Sequence, residues 1–300
     1  MGFKSGFVTI IGDTNAGKST LINRLVGEKV SIVSPKSQTS RDNTIGIYND
    51  DESQIIFIDT PGYHKTQHKL DEYMQKNIDE ASSDVDILIF LIDAKKPLVE
   101  QYEKLYKAQG GASSRKILCI NKIDDTTFEK LYPELDKLNK VSKTDEILPI
   151  SALKGKNVDI LINMIKKYLP EYGHEMRYYP VEQFTDKNVR YLSAEIIREK
   201  ILLLYEDEIP HGVAVQITEF IEGEKSTHIS ANIYCERQNH KSILIGKDGD
   251  KIKKLSTASR IEIEKLIGNP VYLDLFVKVK ENWRVDNLML EEFGYKNENK

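Results

Sequence analysis

The amino-acid sequence predicts an α/β protein in which a doubly wound, mostly parallel sheet is followed by a smaller α+β domain. Three observations lead to this fold class. Short apolar stretches alternate with helical stretches up to about residue 169, a glycine-rich loop follows the first apolar stretch, and the order of elements changes after about residue 190. The 300 residues, 40% of them hydrophobic, suffice for two domains with separate cores.

The composition argues against several classes of protein. The chain has 43 Lys and Arg against 47 Asp and Glu, and its net charge of −4 does not by itself indicate a nucleic-acid-binding protein. Cys119 and Cys235 form no Cys-x-x-Cys motif, so neither a disulfide framework nor a structural zinc site is predicted. The longest apolar run, 87–92, is too short to span a membrane, and no signal peptide is visible. We therefore expect a soluble, cytoplasmic protein.

The first predicted strand, 7–11, is followed by a loop and by a helix whose apolar residues share one face. The loop fits the pattern G-x-x-x-x-G-K-[S/T] at every required position. With the next helical residue it comprises Gly12, Asp13, Thr14, Asn15, Ala16, Gly17, Lys18, Ser19 and Thr20. A strand, glycine loop and helix in this order direct backbone N–H groups and a positive helix end at phosphates. We expect Lys18 to reach the β- and γ-phosphates and the Ser19 hydroxyl to ligate Mg²⁺.

Three further motifs follow predicted strands, at the edge where open α/β sheets bind their ligands. They are Asp59, Thr60, Pro61 and Gly62 after strand 55–58; Asn121, Lys122 and Asp124 after strand 117–120; and Ser151 and Ala152 after strand 147–150. Asp59 is expected to supply a carboxylate on the Mg²⁺ side of the site. Gly62 is expected to approach the γ-phosphate.

The later motifs indicate which base is bound. A buried Asp124 accepts hydrogen bonds from N1–H and the 2-amino group of guanine, whereas adenine would leave it unpaired. Asn121 can connect the base-binding loops, the Lys122 stem can lie against the purine, and a backbone N–H at Ser151–Ala152 can meet the guanine O6. Together the motifs predict a GTP-binding domain.

The remaining elements suggest a second, RNA-binding domain. A stretch with two prolines and a glycine is interpreted as a linker, and the following order of helix, two strands, helix, G-x-x-G, helix and strand is typical of a type II KH domain. From 241 to 284 there are ten Lys and Arg against six Asp and Glu, which predicts an RNA-facing surface. The expected RNA-binding residues are Ile245, Gly246, Lys247, Asp248, Gly249, Lys251, Lys253, Lys254 and Arg260. The predicted boundaries are 1–169 for the GTP-binding domain, 170–190 for the linker, 191–285 for the KH domain and 286–300 for a frayed tail.

With three additional segments, these motifs resemble the Era family of bacterial GTPases over nearly the whole chain. The additional segments are Gln38–Arg41, Glu208–His211 and Lys280–Arg284. The resemblance implies a GTPase that binds 16S ribosomal RNA near its 3′ end through the KH domain and assists assembly of the 30S ribosomal subunit. GTP binding would favour RNA association and hydrolysis would favour release. The family also implies peripheral association with the inner face of the cell membrane.

The resemblance assigns further roles to individual residues. Switch I would comprise Gln38, Thr39, Ser40, Arg41 and Asp42, and the family usually has Thr-Thr before the arginine, where this chain has Thr39 and Ser40. By alignment Ser40 joins Ser19 and Asp59 as a Mg²⁺ ligand, with Thr39 as the alternative. Asn15 matches an asparagine that helps GTPases of this class to bind K⁺, so K⁺ stimulation is a hypothesis. The expected catalytic residues are Lys18, Asn15, Asp59 and Gly62.

Two positions leave alternatives open. Tyr63 stands where many GTPases have a glutamine that orients water, so intrinsic hydrolysis should be slow. The chain could then be a nucleotide-gated RNA-binding scaffold in which hydrolysis is secondary; a GTPase of RNA modification or of membranes is a weaker alternative, because no added catalytic module or basic amphipathic helix is present.

Trp283 either stacks on a base or packs in the KH core. We expect a monomer.

Overall fold

The computed structural model describes residues 2–36, 39–62, 69–82, 84–109, 111 and 113–295. By their contacts these residues form two compact units. The first unit contains the described residues of 1–31, 40–65 and 74–186. The second contains those of 32–39, 66–73 and 187–300. Within the described ranges, no helix is both long enough and apolar enough to cross a membrane.

The first unit is built around a mostly parallel sheet in the order β2-β3-β1-β4-β5-β6, with β7 pairing on β1. The strands are β1 (Phe3–Gly12), β2 (Thr44–Asn49), β3 (Ser53–Asp59), β4 (Ile87–Asp93), β5 (Arg115–Asn121), β6 (Glu146–Pro149) and β7 (Glu171–Tyr172). The helices are α1 (Lys18–Val26), α2 (Lys69–Ala81), α3 (Leu98–Gln109), α4 (Phe128–Val141) and α5 (Val158–Tyr168). Strand β2 runs antiparallel to β3 and was not predicted from the sequence.

Helices cover both faces of this sheet, as the alternation of elements predicts. One apolar core lies between the sheet and helices α1 and α5, and the other lies against α3 and α4. Strand β4 is buried at every position from Ile87 to Asp93, which explains its uninterrupted apolar sequence. Because β1, β3, β4 and β5 are parallel neighbours, the loops after their carboxyl ends meet at one edge.

The second unit has a three-stranded sheet in the order β10-β9-β8, covered on one face by helices. Its elements are α6 (Val189–Leu204), β8 (Ala214–Glu222), β9 (Thr227–Cys235), α7 (Gln238–Ile245), α8 (Asp250–Ile267), β10 (Val271–Val279) and α9 (Asn287–Glu292). Strands β9 and β10 are parallel, whereas β8 and β9 are antiparallel. The order of elements is the one predicted for a type II KH domain.

Two segments outside the predicted domains have a defined structure. The predicted linker packs on the first unit as far as residue 186: the Gln54 side chain accepts hydrogen bonds from the N–H groups of Tyr178 and Tyr179, and Tyr178 contacts the Phe7 ring at 4.9 Å. The predicted tail is helical over 287–292, because Asp286 caps α9 by accepting from the N–H of Leu288 at 2.9 Å. Hydrogen bonds and aromatic contacts hold the first segment, and a helix cap begins the second.

Candidate functional site

The phosphate loop is closed by its own backbone geometry and by a buried lysine. Gly17 has φ 99°, and a Cβ there would lie 2.3 Å from Nδ2 of Asn121, so only glycine fits. Lys18 Nζ donates to the carbonyl oxygens of Gly12 and Asp13 at 3.0 and 3.1 Å. Burial lowers the pKa of the Lys18 ammonium to about 8, although the carboxylates of Asp59 and Asp13 act in the opposite direction. The Lys18 ammonium is therefore held inside the loop by the loop's own carbonyl groups.

Three oxygen-bearing side chains from different parts of the sequence converge beside Lys18. Ser19 Oγ lies 3.0 Å from Ser40 Oγ, and Ser40 Oγ lies 3.5 Å from Asp59 Oδ2. The other oxygen of Asp59, Oδ1, is buried and has no hydrogen-bond partner among the described residues. Burial raises the pKa of Asp59, while Lys18 and the serine hydroxyls oppose that shift. Hard oxygen donors around an unsatisfied carboxylate are a donor set that suits Mg²⁺.

The two switch I hydroxyls have different surroundings. Thr39 Oγ1 donates to the carbonyl of Lys36 at 2.7 Å and lies 3.1 Å from Ser34 Oγ, so it serves a local turn. Ser40, one residue later, contacts the metal-side groups of Ser19 and Asp59. The geometry therefore favours Ser40 over Thr39 as the ligand. Among the other switch I residues, Arg41 is buried and Asp42 accepts from the N–H of Asn43 at 2.9 Å, and Gln38 lies outside the described residues.

The turn after β3 is pressed against the phosphate loop. A Cβ on Gly62 would lie 2.8–3.0 Å from atoms of Thr14, so any larger residue would push the two loops apart. Thr60 Oγ1 donates to the carbonyl of Ile10 at 2.9 Å, which fixes the turn to β1, and Pro61 is buried beside it. Gly62 thus lies directly against the phosphate loop.

Asn121 connects the loops on the base side of the site. Its Nδ2 donates to the carbonyl of Ala16, and its Oδ1 accepts from the N–H of Ala152, both at 2.9 Å. Asp124 is exposed rather than buried as expected, because it follows the end of β5 at the open edge of the sheet. Ser151 Oγ donates to Asp124 Oδ1 at 2.6 Å and orients the carboxylate. Asn121 therefore joins the phosphate loop to the loop that contains Ala152, and Ser151 positions Asp124.

Asp93, at the end of β4, is a functional candidate that sequence reasoning missed. It accepts a hydrogen bond from Lys122 Nζ at 2.7 Å, and Lys122 Nζ also donates to the carbonyl of Asn15 at 2.6 Å. Gln101 holds Asp93 through the backbone N–H at 2.9 Å. Since Asp93 ends a buried apolar strand as Asp59 does, its position was the signal that could have identified it.

In the second unit, the G-x-x-G loop joins α7 to α8 in an open conformation. Gly246 and Gly249 have φ 77° and 76°, and Asp248 between them has φ 53°. A Cβ on Gly246 would lie 2.2 Å from Oδ1 of Asp250. The exposed lysines of the predicted surface, in the loop and in the first turn and a half of α8, are Lys247, Lys251, Lys253 and Lys254. The structure brings these lysines together around the loop that Ile245 precedes.

Arg260 and Trp283 have other surroundings. Arg260 lies ten residues along α8, about 15 Å from the loop, and its Nη1 pairs with Glu264 at 2.7 Å. Trp283 is fully buried, donates from Nε1 to the carbonyl of Gly212 at 3.0 Å and contacts the Phe293 ring at 5.5 Å. The core alternative for Trp283 is therefore confirmed. Tyr63 lies outside the described residues.

The folds and loops define a class of protein: a P-loop GTPase domain joined to a type II KH domain. Comparison with family models agrees, because residues 7–122 match the 50S ribosome-binding GTPase family and residues 208–284 match the KH domain.

Related sequences and structures narrow the class. The chain is 46% identical to GTPase Era of Clostridium botulinum, over 98% of this chain and 99% of that protein, and 43% identical to GTPase Era of Clostridium beijerinckii, over 98% of each. It is similar to the crystal structure of a tyrosine-to-alanine variant of Aquifex aeolicus Era bound to GDP and AlF₄⁻ (TM-score 0.93, 38% identity, 98% of this chain and 100% of that one). The same values hold for Era in complex with MgGDPNP and nucleotides 1506–1542 of 16S ribosomal RNA. The chain belongs to the Era family of GTPases.

Proposed function

We propose that this GTPase binds 16S ribosomal RNA near its 3′ end through the KH domain and assists 30S subunit assembly, with GTP binding and hydrolysis switching its association with RNA. One observation carries the proposal: a complete phosphate loop with converging Ser19, Ser40 and Asp59 occurs in the same chain as an exposed, lysine-flanked G-x-x-G loop. The similar Era structure with MgGDPNP and a 16S fragment supports it.

In the first domain, catalysis rests on positioning and charge. Lys18 and the backbone N–H groups of 12–19 would hold the γ-phosphate, and Gly62 would let the turn after β3 close on it. The donor set of Ser19, Ser40 and Asp59 would hold Mg²⁺, which when bound offsets negative charge on the phosphate oxygens. Asp124, oriented by Ser151, would select guanine.

Asn15 is proposed to assist K⁺ binding beside the phosphates. It has φ 64° in the phosphate loop, and its carbonyl is held by Lys122 Nζ. We expect GTP hydrolysis several times faster in K⁺ than in Na⁺ at equal ionic strength, and Asn15→Ala should remove that difference. Equal rates in the two salts would remove K⁺ from the mechanism.

The decisive experiment measures GTP hydrolysis in K⁺ buffer with and without a short RNA that matches the 3′ end of 16S ribosomal RNA. Acceleration by this RNA, and none by a scrambled RNA of the same composition, is the expected result. Tight binding without acceleration would favour the alternative, a nucleotide-gated scaffold in which hydrolysis is secondary. Absence of RNA binding would contradict the assignment of the second domain.

The domain boundaries 1–169, 170–190, 191–285 and 286–300, a monomeric state and a cytoplasmic location with peripheral membrane association remain predictions. Sedimentation of the purified protein tests the monomeric state. A monomer of 34.4 kDa is expected.

A further inference from the structure

A cavity of about 450 Å³ lies in the second unit where β9 and β10 end and α7 begins. Two short segments line it: one after β9, with Glu236, Arg237 and Gln238, and one after β10, with Glu281, Asn282, Arg284 and Val285. The second segment overlaps the stretch Lys280–Arg284, whose only explained member so far is the buried Trp283. The volume falls in the range of sites that hold small ligands.

The walls of this cavity offer both hydrogen-bond donors and acceptors. Arg284 Nη2 pairs with Glu236 Oε2 at 2.5 Å, and both side chains are mostly buried. Arg284 Nε is buried without a hydrogen-bond partner in the described part of the chain. Arg237 and Glu281 are exposed and add one charge of each sign. The exposed Arg237 and Glu281 can therefore donate to and accept from a ligand, whereas Arg284 Nε is enclosed by protein and Arg284 can reach a ligand only through its terminal nitrogens.

The charges that line the cavity indicate whether it suits the phosphate or the base of a nucleotide. Two arginines and two glutamates line the cavity, so it carries no net positive charge. A phosphate would face Glu236 and Glu281, whereas a neutral base can donate from an amino group to a carboxylate and accept from a guanidinium. Uracil offers a single N–H between two carbonyls and suits this set less well than a base with an exocyclic amino group.

The position of the cavity relative to the G-x-x-G loop supports an RNA ligand. Helix α7 has eight residues, and it separates the cavity, at its first turn, from Gly246, at its end. Eight helical residues span about 12 Å, a distance that an RNA strand of two or three nucleotides bridges if it runs along α7. KH domains clamp about four nucleotides at this loop and leave bases free to splay.

We propose that this cavity binds one unstacked RNA base that carries an exocyclic amino group, with Glu281 accepting from the amino group and Arg284 donating to the base. The proposal rests on the RNA binding proposed above for the KH domain. It assigns a base-reading role to Glu281 and Arg284, separate from the backbone contact at Gly246–Gly249.

The test combines a protein substitution with a scan of the RNA. Affinity for a ten-nucleotide RNA from the 16S 3′ end is measured by fluorescence anisotropy, with an abasic nucleotide placed at each position in turn. Glu281→Ala should lower the affinity for the intact RNA about ten-fold, and it should have no further effect when one particular base is missing. Uridine at that position should weaken wild-type binding by a similar factor.

Matched variants control the experiment. Glu281→Gln keeps the size of the side chain, so it tests the carboxylate if the alanine variant is less stable. Glu129→Ala changes an exposed glutamate of α4 and should leave every affinity unchanged. If Glu281→Ala weakens all RNAs equally, or none, the base site is wrong. If wild type binds no RNA, or binds it equally after Gly246→Asp with Gly249→Asp, the failure belongs to the proposed function instead.

Discussion

The two glycine loops of this chain use the same backbone device with opposite exposure. The phosphate loop places Gly17 at φ 99° above a buried Lys18, whose Nζ is held by two carbonyls of the loop. The G-x-x-G loop places Gly246 and Gly249 at φ 77° and 76°, and its lysines, such as Lys247, point into solvent. Glycine allows a ligand to come close to the backbone in both loops, whereas the lysine is buried in one loop and exposed in the other.

This difference suits two kinds of ligand. A buried cation in a closed loop suits a small triphosphate that can be enclosed, because low dielectric strengthens each contact. Exposed lysines around an open loop suit a polymer that enters and leaves sideways, and their attraction is screened by salt. The glycines determine where a ligand can come close to the backbone, and the burial of the neighbouring lysines determines which kind of ligand binds.

The largest effect is expected from removing the buried cation. Lys18→Ala should lower GTP hydrolysis about 1,000-fold, because it removes a charge preorganised toward the γ-phosphate. Steady-state hydrolysis and nucleotide titration measure it. The matched change Lys247→Ala in the open loop should leave hydrolysis within two-fold. Similar losses in both variants would break the distinction between the loops.

The next effect concerns the glycines of the open loop. Gly246→Asp combined with Gly249→Asp should lower RNA affinity about 100-fold, because side chains and negative charge obstruct the phosphates, while GTP affinity stays near wild type. Gel shift and nucleotide titration measure the two affinities. Gly268→Asp is the control: it has a similar φ of 75° and no atom within 4 Å of its Cβ. RNA affinity unchanged in the double variant would contradict the KH assignment.

A smaller effect separates exposed from buried charge. If Lys247, Lys251, Lys253 and Lys254 each contact one phosphate, raising salt from 50 to 200 mM should weaken RNA binding about 50-fold. Magnesium-dependent GTP binding should change less than three-fold, because Lys18 is enclosed. Parallel titrations of RNA and GTP at several salt concentrations provide the slopes. Equal slopes would show that burial does not separate the two sites.

The smallest effect tests a charge outside both loops. Partial burial of Asp50 acts to raise its pKa, but hydrogen bonds from Lys166, Tyr48 and Ser53 outweigh burial and lower the pKa to about 2. A carboxylate with a lowered folded pKa stabilises the protein above its unfolded pKa, and the stabilisation is lost as pH falls from about 4 toward 2. Asp50→Asn should therefore melt below wild type at pH 6, and the gap should narrow at pH 3. A constant gap would show that ionisation of Asp50 contributes nothing.

Much of the fold followed from local patterns. Alternating apolar strands and helices predicted the parallel sheet, since each pattern matches the period of its element. The antiparallel strand β2 was not predicted, because it is short, contains Gly46 and follows a segment interpreted as switch I. Helix α9 was not predicted because six residues are too few to show a helical period; a cap at Asp286 and the packing of Phe293 on Tyr234 define it.

The sequence alone determined the chemistry of the two loops, because glycine spacing, Lys18 and the strand-end motifs act within a few residues of the backbone that they shape. Only the tertiary structure decided which distant groups meet. It separated Ser40 from Thr39 at the metal-side groups, paired Asp93 with Lys122, buried Trp283 and formed the cavity of Glu236 and Arg284. Such meetings depend on strand order and burial, which a one-dimensional pattern does not contain.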